Sequence, residues 1–180
     1  DHPQWRVIRG GSARYVEKLV AGHRDRIRLN AAVQSIIRHD DHVEVKSVGA
    51  PPERFDRVFL ACHSDQALAL LADPTPAEED VLGAIRYQQN ETVLHTDHSL
   101  LPSRKLAWAA WNYHILAQDQ ERVALTYNMN MLQGIDAPTQ FCVTLNNTAA
   151  IDECQVIESM QYSHPVFTPE AVAAQARHRE

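Results

Sequence analysis

The sequence offers little that would place the protein in a membrane or in an oxidising compartment. No apolar run approaches the roughly 18 to 20 residues that span a bilayer, and the residues around Trp5 lack the hydrophobic stretch of a signal peptide. Only three cysteines occur in 180 residues, widely spaced and odd in number, so they do not suggest a disulfide framework. We therefore expect no membrane span and a location in the reducing cytoplasm.

Positive charge is scarce as well. The 17 lysines and arginines are outnumbered by 23 acidic residues, and the formal net charge is -6. Such a surface repels phosphate backbones, so nucleic acid is not an expected partner. What the sequence does have is 44% hydrophobic residues, which is enough for the core of a globular protein.

Glycine patterns that bind nucleotides are missing. The six glycines form neither the three-glycine dinucleotide fingerprint nor a P-loop lysine pattern. Gly10 and Gly11 precede a predicted helix, where backbone N–H groups can hold a phosphate, but a lone glycine pair is weak evidence. The sequence therefore supplies no recognised nucleotide-binding loop.

The first 72 residues are predicted to combine helices with a β-hairpin. Apolar residues recur at helical spacing in residues 12–23, and strand patterns follow at residues 26–29, 32–37 and 43–48. The apolar run that ends residues 55–62 is typical of a strand buried on both faces of a sheet. Ser64 can then cap a second helix.

The rest of the chain is predicted to be rich in strands. Thr75, Pro76 and Glu78 carry the signature of a capping box and predict a helix through Ile85. Period-two alternation then predicts strands near residues 91–96, 105–113, 122–129, 140–146 and 155–162, with a final helix after Thr168. Successive strands without intervening helices favour a mostly antiparallel or mixed sheet, and hence an α+β fold with flanking helices.

Two clusters contain residue types found in metal or catalytic sites. Residues 95–98 include two imidazoles and a carboxylate, but no further pair completes a zinc ligand set, so we expect no metal. Cys62 lies where a predicted strand meets a helix, a position at which a thiol can act as a nucleophile. Because free cysteine is commonly a small core residue, we expect Cys62 to be buried.

The aromatic segment 107–113 is the best candidate for a binding surface. In an extended strand, Trp111 and Tyr113 would share a face with Ala107 and Ala109, which leaves a recess between large rings. That recess could accept a flat ligand or be filled by a neighbouring helix. On the next predicted strand, Asn128 could orient a substrate or complete a turn.

The order of elements resembles the middle of flavin-containing amine oxidases, in the branch of predicted NAD/FAD-binding flavoproteins. The resemblance is carried by Gly10 and Gly11 before a helix, by residues 26–36, by the strand and helix at 55–68, and by the segment 107–113. It spans nearly the whole chain.

The resemblance implies an interior fragment of an FAD-dependent oxidoreductase. Residues 1–72 would be a partial FAD-binding domain, residues 73–166 a substrate-binding domain, and residues 167–180 a helix returning toward the FAD domain. The backbone of Val33 would contact the adenine of FAD, as in the Val-x-Ser-Ile pattern of the family. Trp111, Tyr113 and Asn128 would contact a small-molecule substrate, and no catalytic residue carries over.

The missing nucleotide-binding segments imply that the chain alone is inactive and does not hold FAD tightly. A sheet edge left bare would allow the fragment to form a homodimer. Two other interpretations stay open. The chain could be a non-enzymatic α+β module that binds a hydrophobic ligand or a protein partner, or a cysteine hydrolase built on Cys62.

Overall fold

The computed structural model describes residue 4 and residues 6–116 and 122–179. They form two compact units, one made of the residues up to Asp25 together with Gln89–Ser163, and the other made of Arg26–Gln88 together with the residues from His164 onward. None of the described helices is long and apolar enough to cross a bilayer. The functional boundaries at 72/73 and 166/167 stay predictions, since compact units divide a chain by proximity and not by role.

Helices and antiparallel sheets are both present in the described part of the chain. The helices are α1 Ala13–Val20, α2 Ser64–Leu70, α3 Pro76–Gly83, α4 Met129–Gln133 and α5 Pro169–Gln175. The strands are β1 Val33–Arg38, β2 Val43–Ser47, β3 Glu53–Phe55, β4 Tyr87–His95, β5 Trp111–His114, β6 Ala124–Asn128, β7 Cys142–Leu145 and β8 Val156–Pro165. This mixture confirms the predicted α+β fold.

The smaller sheet contains the predicted hairpin. Its strands lie in the order β1-β2-β3, and both pairs are antiparallel. The polar turn closes with the N–H of His39 donating to the C=O of His42 at 2.9 Å. After α2, the N–H of Ala72 donates to the C=O of Ile36 at 3.0 Å, which attaches the end of that helix to β1.

Helix α3 begins at the predicted capping box. The hydroxyl of Thr75 accepts from the N–H of Glu78 at 3.2 Å, and the Glu78 carboxylate accepts from the N–H of Thr75 at 2.8 Å. Arg38, at the end of β1, donates to the same carboxylate at 2.6 and 3.0 Å. The charge pair therefore ties the start of α3 to the hairpin.

The larger sheet has the strand order β5-β6-β7-β4-β8. The pairs β4–β7, β5–β6 and β6–β7 are antiparallel. Four of the five predicted strands and the helix after Thr168 are confirmed within a few residues. Strand β4 lies between β7 and β8, so the sheet is not a simple succession of hairpins.

One face of this sheet is buried and mainly polar. Burial alternates along β6 and β7, as expected for strands with one covered face. The buried side chains on this face belong to residues that share one parity on each strand, namely Val93, His95, Asn112, Ala124, Thr126, Asn128, Cys142 and Thr144. Buried polar groups at this density must satisfy one another by hydrogen bonds.

The predicted buried strand at residues 55–62 is wrong. Only Glu53–Phe55 forms a strand, Phe59 is 93% exposed, and Cys62 is exposed rather than core. A continuous apolar run becomes a buried strand only with strands on both sides, and no strand of the described residues pairs with 56–62. Residues 26–29 are also predicted to be extended, but Arg24–Arg26 forms a 3-10 turn, and no strand precedes Val33 in the part of the chain that the structure describes.

The strand predicted at residues 105–113 is correct only at its end. Lys105–Ala107 forms a 3-10 turn, and Nε1 of Trp108 donates to the C=O of Pro102 at 2.7 Å. This side-chain bond stabilises a turn that the alternation pattern does not reveal. The extended segment begins at Trp111, so Ala107 and Ala109 do not share a strand face with Trp111 and Tyr113.

Candidate functional site

Trp111 and Tyr113 lie on β5, at one edge of the larger sheet. The strand places both side chains on the same face, where they are 55% and 65% exposed. Trp111 lies opposite Tyr127 of β6, and the two rings meet edge to face with centroids 5.6 Å apart. This geometry favours aromatic pairing and fixes the orientation of the indole.

A cavity of about 400 Å³ lies beside Trp111. Its lining residues include Arg6, Val7, Ala110, Trp111 and Leu132. The volume falls within the range of small-molecule sites, and the lining is mainly apolar. Arg6 contributes the one guanidinium among these residues, so the cavity can hold a small apolar or aromatic group, and none of these five described residues can act as a general base.

Asn128 is placed away from this cavity wall. It lies on the opposite face of β6 from Tyr127 and is fully buried. Its Oδ1 accepts from the N–H of Met131 at 3.1 Å and from Nε2 of Gln140 at 2.5 Å, so it caps the short helix α4, which the sequence did not predict. The structure therefore brings together Trp111 and Tyr113 and separates Asn128 from their face.

Val33 lies in the other compact unit, at the first residue of β1. Strand β1 is an edge of its sheet, the pairing with β2 is irregular between Val33 and Ser35, and Val33 is 37% exposed. Val33 is thus a partly exposed residue at an irregular strand end. The contact between its backbone and the adenine of FAD stays a prediction.

Cys62 and His63 do not form a nucleophile and base. His63, rather than Ser64, is the N-cap of α2. The backbone N–H of His63 donates to Oε1 of Gln66 at 3.2 Å. Its ring stacks on Tyr87 with centroids 4.4 Å apart. These contacts give the imidazole a structural position at the start of the helix and leave Cys62 on the surface.

The cluster at residues 95–98 divides into separate structural roles. His95 is fully buried on β4, whereas His98 is exposed in a 3-10 turn. Asp97 begins that turn, accepting from the N–H of Ser99 at 2.9 Å and from the N–H of Asp152 at 3.0 Å. Among the described residues, no group of three His, Cys, Asp or Glu side chains is arranged to hold a metal ion.

Sequence reasoning missed a chain of hydrogen bonds across the buried face. Nε2 of His95 and Oγ1 of Thr144 are 2.7 Å apart, the two hydroxyl oxygens of Thr144 and Thr126 are 2.8 Å apart, and Oγ1 of Thr126 is 2.7 Å from Nε2 of His114. We call these four residues the His-Thr-Thr-His chain. The sequence signal is that each residue occupies a position on the buried face of its own strand, which becomes informative only when the strand order and register are known.

Burial sets the electrostatics of this face. It lowers the pKa of His95, and the charge and backbone of Asp97 act in the opposite direction. Burial also lowers the pKa of His114. Cys142 lies directly across from His95, and burial, with the nearby Asp97 carboxylate, raises the pKa of its thiol to about 11. All three groups are therefore biased toward their neutral forms.

Two solved structures share this fold. One is a CLA-producing fatty acid isomerase from P. acnes, with a TM-score of 0.54 and 17% sequence identity over 84% of this chain and 39% of that protein. The other is a putrescine oxidase mutant from a redesign of cofactor binding, with a TM-score of 0.51 and 13% identity over 76% of this chain and 29% of that protein. The present chain thus spans less than half the length of either protein. No curated protein sequence matches it.

The first half of the sequence matches a known protein family. A family model described as "Flavin containing amine oxidoreductase" matches residues 1–95, more than half of the 180 residues. The matched region includes β1 with Val33 and continues to the end of β4. It confirms the resemblance drawn from the sequence. The chain belongs to the family of flavin-containing amine oxidoreductases.

Proposed function

We propose that this chain is an interior part of an FAD-dependent, amine oxidase-like oxidoreductase and forms one wall of its substrate pocket. The observation that carries the proposal is the apolar cavity of about 400 Å³ beside Trp111 in a chain of this family. Trp111 would form the wall, with Tyr113 next to it on the same strand face. Asn128 would act on a substrate indirectly, by holding the start of α4.

The cofactor proposal rests on the family and on Val33. FAD would supply the redox chemistry when bound, and the protein would supply orientation and a dry pocket. The backbone of Val33, a partly exposed residue at the irregular start of β1, would contact the adenine end. The contacts with the phosphates of FAD would come from residues outside this sequence, because the sequence contains no recognised phosphate-binding loop.

The exposed apolar run after β3 supports the proposal of a longer protein. Phe59 is 93% exposed and Leu60 is 38% exposed, although the sequence pattern there is typical of a buried strand. Further strands of an FAD-binding domain would cover such a run. A cytoplasmic location is proposed from the three free thiols, of which two are exposed.

The cofactor part is tested by titrating the purified chain with FAD and following flavin fluorescence. We expect no tight, saturable quenching, because one backbone contact cannot offset the cost of ordering a dinucleotide. Tight saturable binding would show that this chain contains a complete flavin site and is not an interior part.

The pocket part is tested with benzylamine as an aromatic amine probe, observed by ligand NMR. We expect weak binding that Trp111→Ala reduces by about tenfold or more, as for a central aromatic contact. Phe167→Ala is the matched control, since Phe167 is an exposed aromatic residue in the other unit. Equal binding by the wild type and Trp111→Ala would remove the cavity from the proposal.

The same cavity also suits the alternative of a non-enzymatic module that binds a hydrophobic ligand. This alternative predicts that the chain binds a neutral apolar probe strongly without any flavin. Titration with 1-octanol separates the two: micromolar affinity abolished by Trp111→Ala favours the module, whereas weak binding favours an incomplete pocket wall.

A further inference from the structure

The His-Thr-Thr-His chain contributes one residue from each of four adjacent strands. Thr144 and Thr126 are direct partners on β7 and β6, while His95 on β4 and His114 on β5 each reach them from two residues further along. At the usual strand spacing the chain covers roughly 14 Å. His95, Thr144 and Thr126 are fully buried, and His114 is partly exposed, so only one end approaches solvent.

Counting protons shows that the chain has a direction. Its three contacts need three donated protons, but the two threonine hydroxyls supply only two. The third must come from Nε2 of one histidine, while Nε2 of the other accepts. If both Nε2 atoms accepted, the two hydroxyl oxygens would meet at 2.8 Å without a proton between them. If both Nε2 atoms donated, one hydroxyl proton would have no acceptor within the His-Thr-Thr-His chain. An unsatisfied buried donor raises the free energy of the folded state.

The chain can be satisfied in both directions, and reversal carries a proton. In one direction Nε2 of His95 donates toward Thr144 and Nε2 of His114 accepts from Thr126. A proton added to Nδ1 of His95 lets its Nε2 proton pass to Thr144, the Thr144 proton pass to Thr126, and the Thr126 proton pass to His114. One N–H bond breaks and one forms at the two ends, each hydroxyl regains a proton, and the positive charge moves from His95 to His114.

The inner end has a ring nitrogen, Nδ1 of His95, that lies outside the His-Thr-Thr-His chain and can carry a proton. Nδ1 of His95 is buried and makes no hydrogen bond of ordinary geometry. Asp97 is the charged group whose field acts on this ring, and Cys142 and Thr144 face it from β7. The carboxylate of Asp97 favours a proton on the ring, whereas burial opposes a lasting charge there. At the outer end, the pKa of His114 is lowered by burial, and no charged group of the described residues contributes to this shift.

We propose that His95, Thr144, Thr126 and His114 form a proton relay that connects the buried end near Asp97 with the solvent-facing end on β5. The relay is independent of the proposed flavin function. It predicts that the two histidines are coupled: when His114 becomes doubly protonated, Nε2 of His95 must change from donor to acceptor.

The test is a pH titration of the full 180-residue chain by ¹H–¹⁵N NMR of the imidazole nitrogens. At high pH we expect His95 to carry its proton on Nε2 and His114 to carry its proton on Nδ1, the direction from which the relay starts. As His114 gains a proton, His95 should hold its proton on Nδ1, with the same midpoint. If the His95 ring keeps its proton on Nε2 throughout the titration of His114, the relay proposal is wrong. The wild-type protein is sufficient for this test.

Variants distinguish a relay from a set of structural bonds. Thr126→Val removes the central hydroxyl and should make the protonation of His95 independent of that of His114, while Thr126→Ser should retain the coupling. Thr92→Val is the matched control, because Thr92 is buried on β4 and its hydroxyl donates to the C=O of Asn90 at 3.5 Å, outside the His-Thr-Thr-His chain. Coupling that persists in Thr126→Val would contradict the proposal. If that variant does not fold, Thr126→Ser and the wild type still decide it.

Discussion

Individual side chains in this protein acquire their chemical character from burial more than from neighbouring charges. Cys142 is the clearest case. It is fully buried between Asn128 and His95, and the pKa of its thiol is raised to about 11. Cys62 and Cys154 lie on the surface. The three free thiols therefore differ in accessibility although the sequence gives no sign of which is the core residue.

We predict that a chromogenic disulfide reagent at pH 7 modifies Cys62 and Cys154 quickly and leaves Cys142 unmodified. With a pKa of about 11, only about one Cys142 thiol in 10,000 is a thiolate at pH 7, and burial blocks access as well. Counting released chromophore before and after denaturation should give two thiols and then three. Cys142→Ala should give two in both states. Three fast thiols in the folded wild type would contradict the burial of Cys142.

At the scale of helices and strands, the sequence predicts elements that depend on neighbouring residues much better than elements that depend on pairing with distant segments. The capping box of Thr75 and Glu78 predicts α3 correctly because both partners lie within one turn. The apolar run at 56–62 fails as a predictor because burial needs strands that lie elsewhere. The position of β4 between β7 and β8 likewise depends on pairing that alternation along one strand cannot reveal.

The candidate site shows the same division. Trp111 and Tyr113 were predicted to share a face because alternation within a strand is local. The His-Thr-Thr-His chain was missed because it joins four strands whose order is not written in any one segment. The capping role of Asn128 was open in the sequence, since an amide at a strand end serves a ligand or a turn equally well.

The junction of the hairpin with α3 gives a prediction about pH. The bonds from Arg38, followed by those within the capping box, lower the pKa of Glu78 from 4.5 to about 2. Because the folded value lies below the unfolded one, the carboxylate stabilises the fold above about pH 4.5, and this contribution is lost as the pH falls toward 2. We expect Glu78→Gln to lower the free energy of unfolding by about 1 kcal/mol at pH 7, a modest value because both partners are partly exposed to screening water.

Urea unfolding at pH 7 and pH 3 checks this prediction. The difference between wild type and Glu78→Gln should be smaller at pH 3, since part of the contribution is then lost. Glu79→Gln, at the exposed neighbouring position on α3, serves as the charge-matched control and should show little change at either pH. An unchanged difference at the two pH values would mean that the carboxylate charge of Glu78 does not stabilise the junction.

For the whole molecule, the larger sheet raises the question of how its open edge is covered. Strand β5 pairs only with β6 among the described strands, so its outer edge has no strand partner there. The residues along and just after this edge include Tyr113, 65% exposed, and Ile115, 91% exposed. An exposed apolar edge is a template for pairing with another strand.

We therefore predict that the isolated chain forms a concentration-dependent homodimer through β5. Sedimentation equilibrium should give a mass that rises from that of the 20.3 kDa monomer toward twice that value as concentration increases. Ile115→Lys should shift the equilibrium toward monomer, because a charge at an edge is costly to bury in a second strand pair. Val172→Lys, at an exposed position on α5, should leave the equilibrium unchanged. A monomer at all concentrations, or a dimer that Ile115→Lys and Val172→Lys affect equally, would show that this edge does not pair with a second copy.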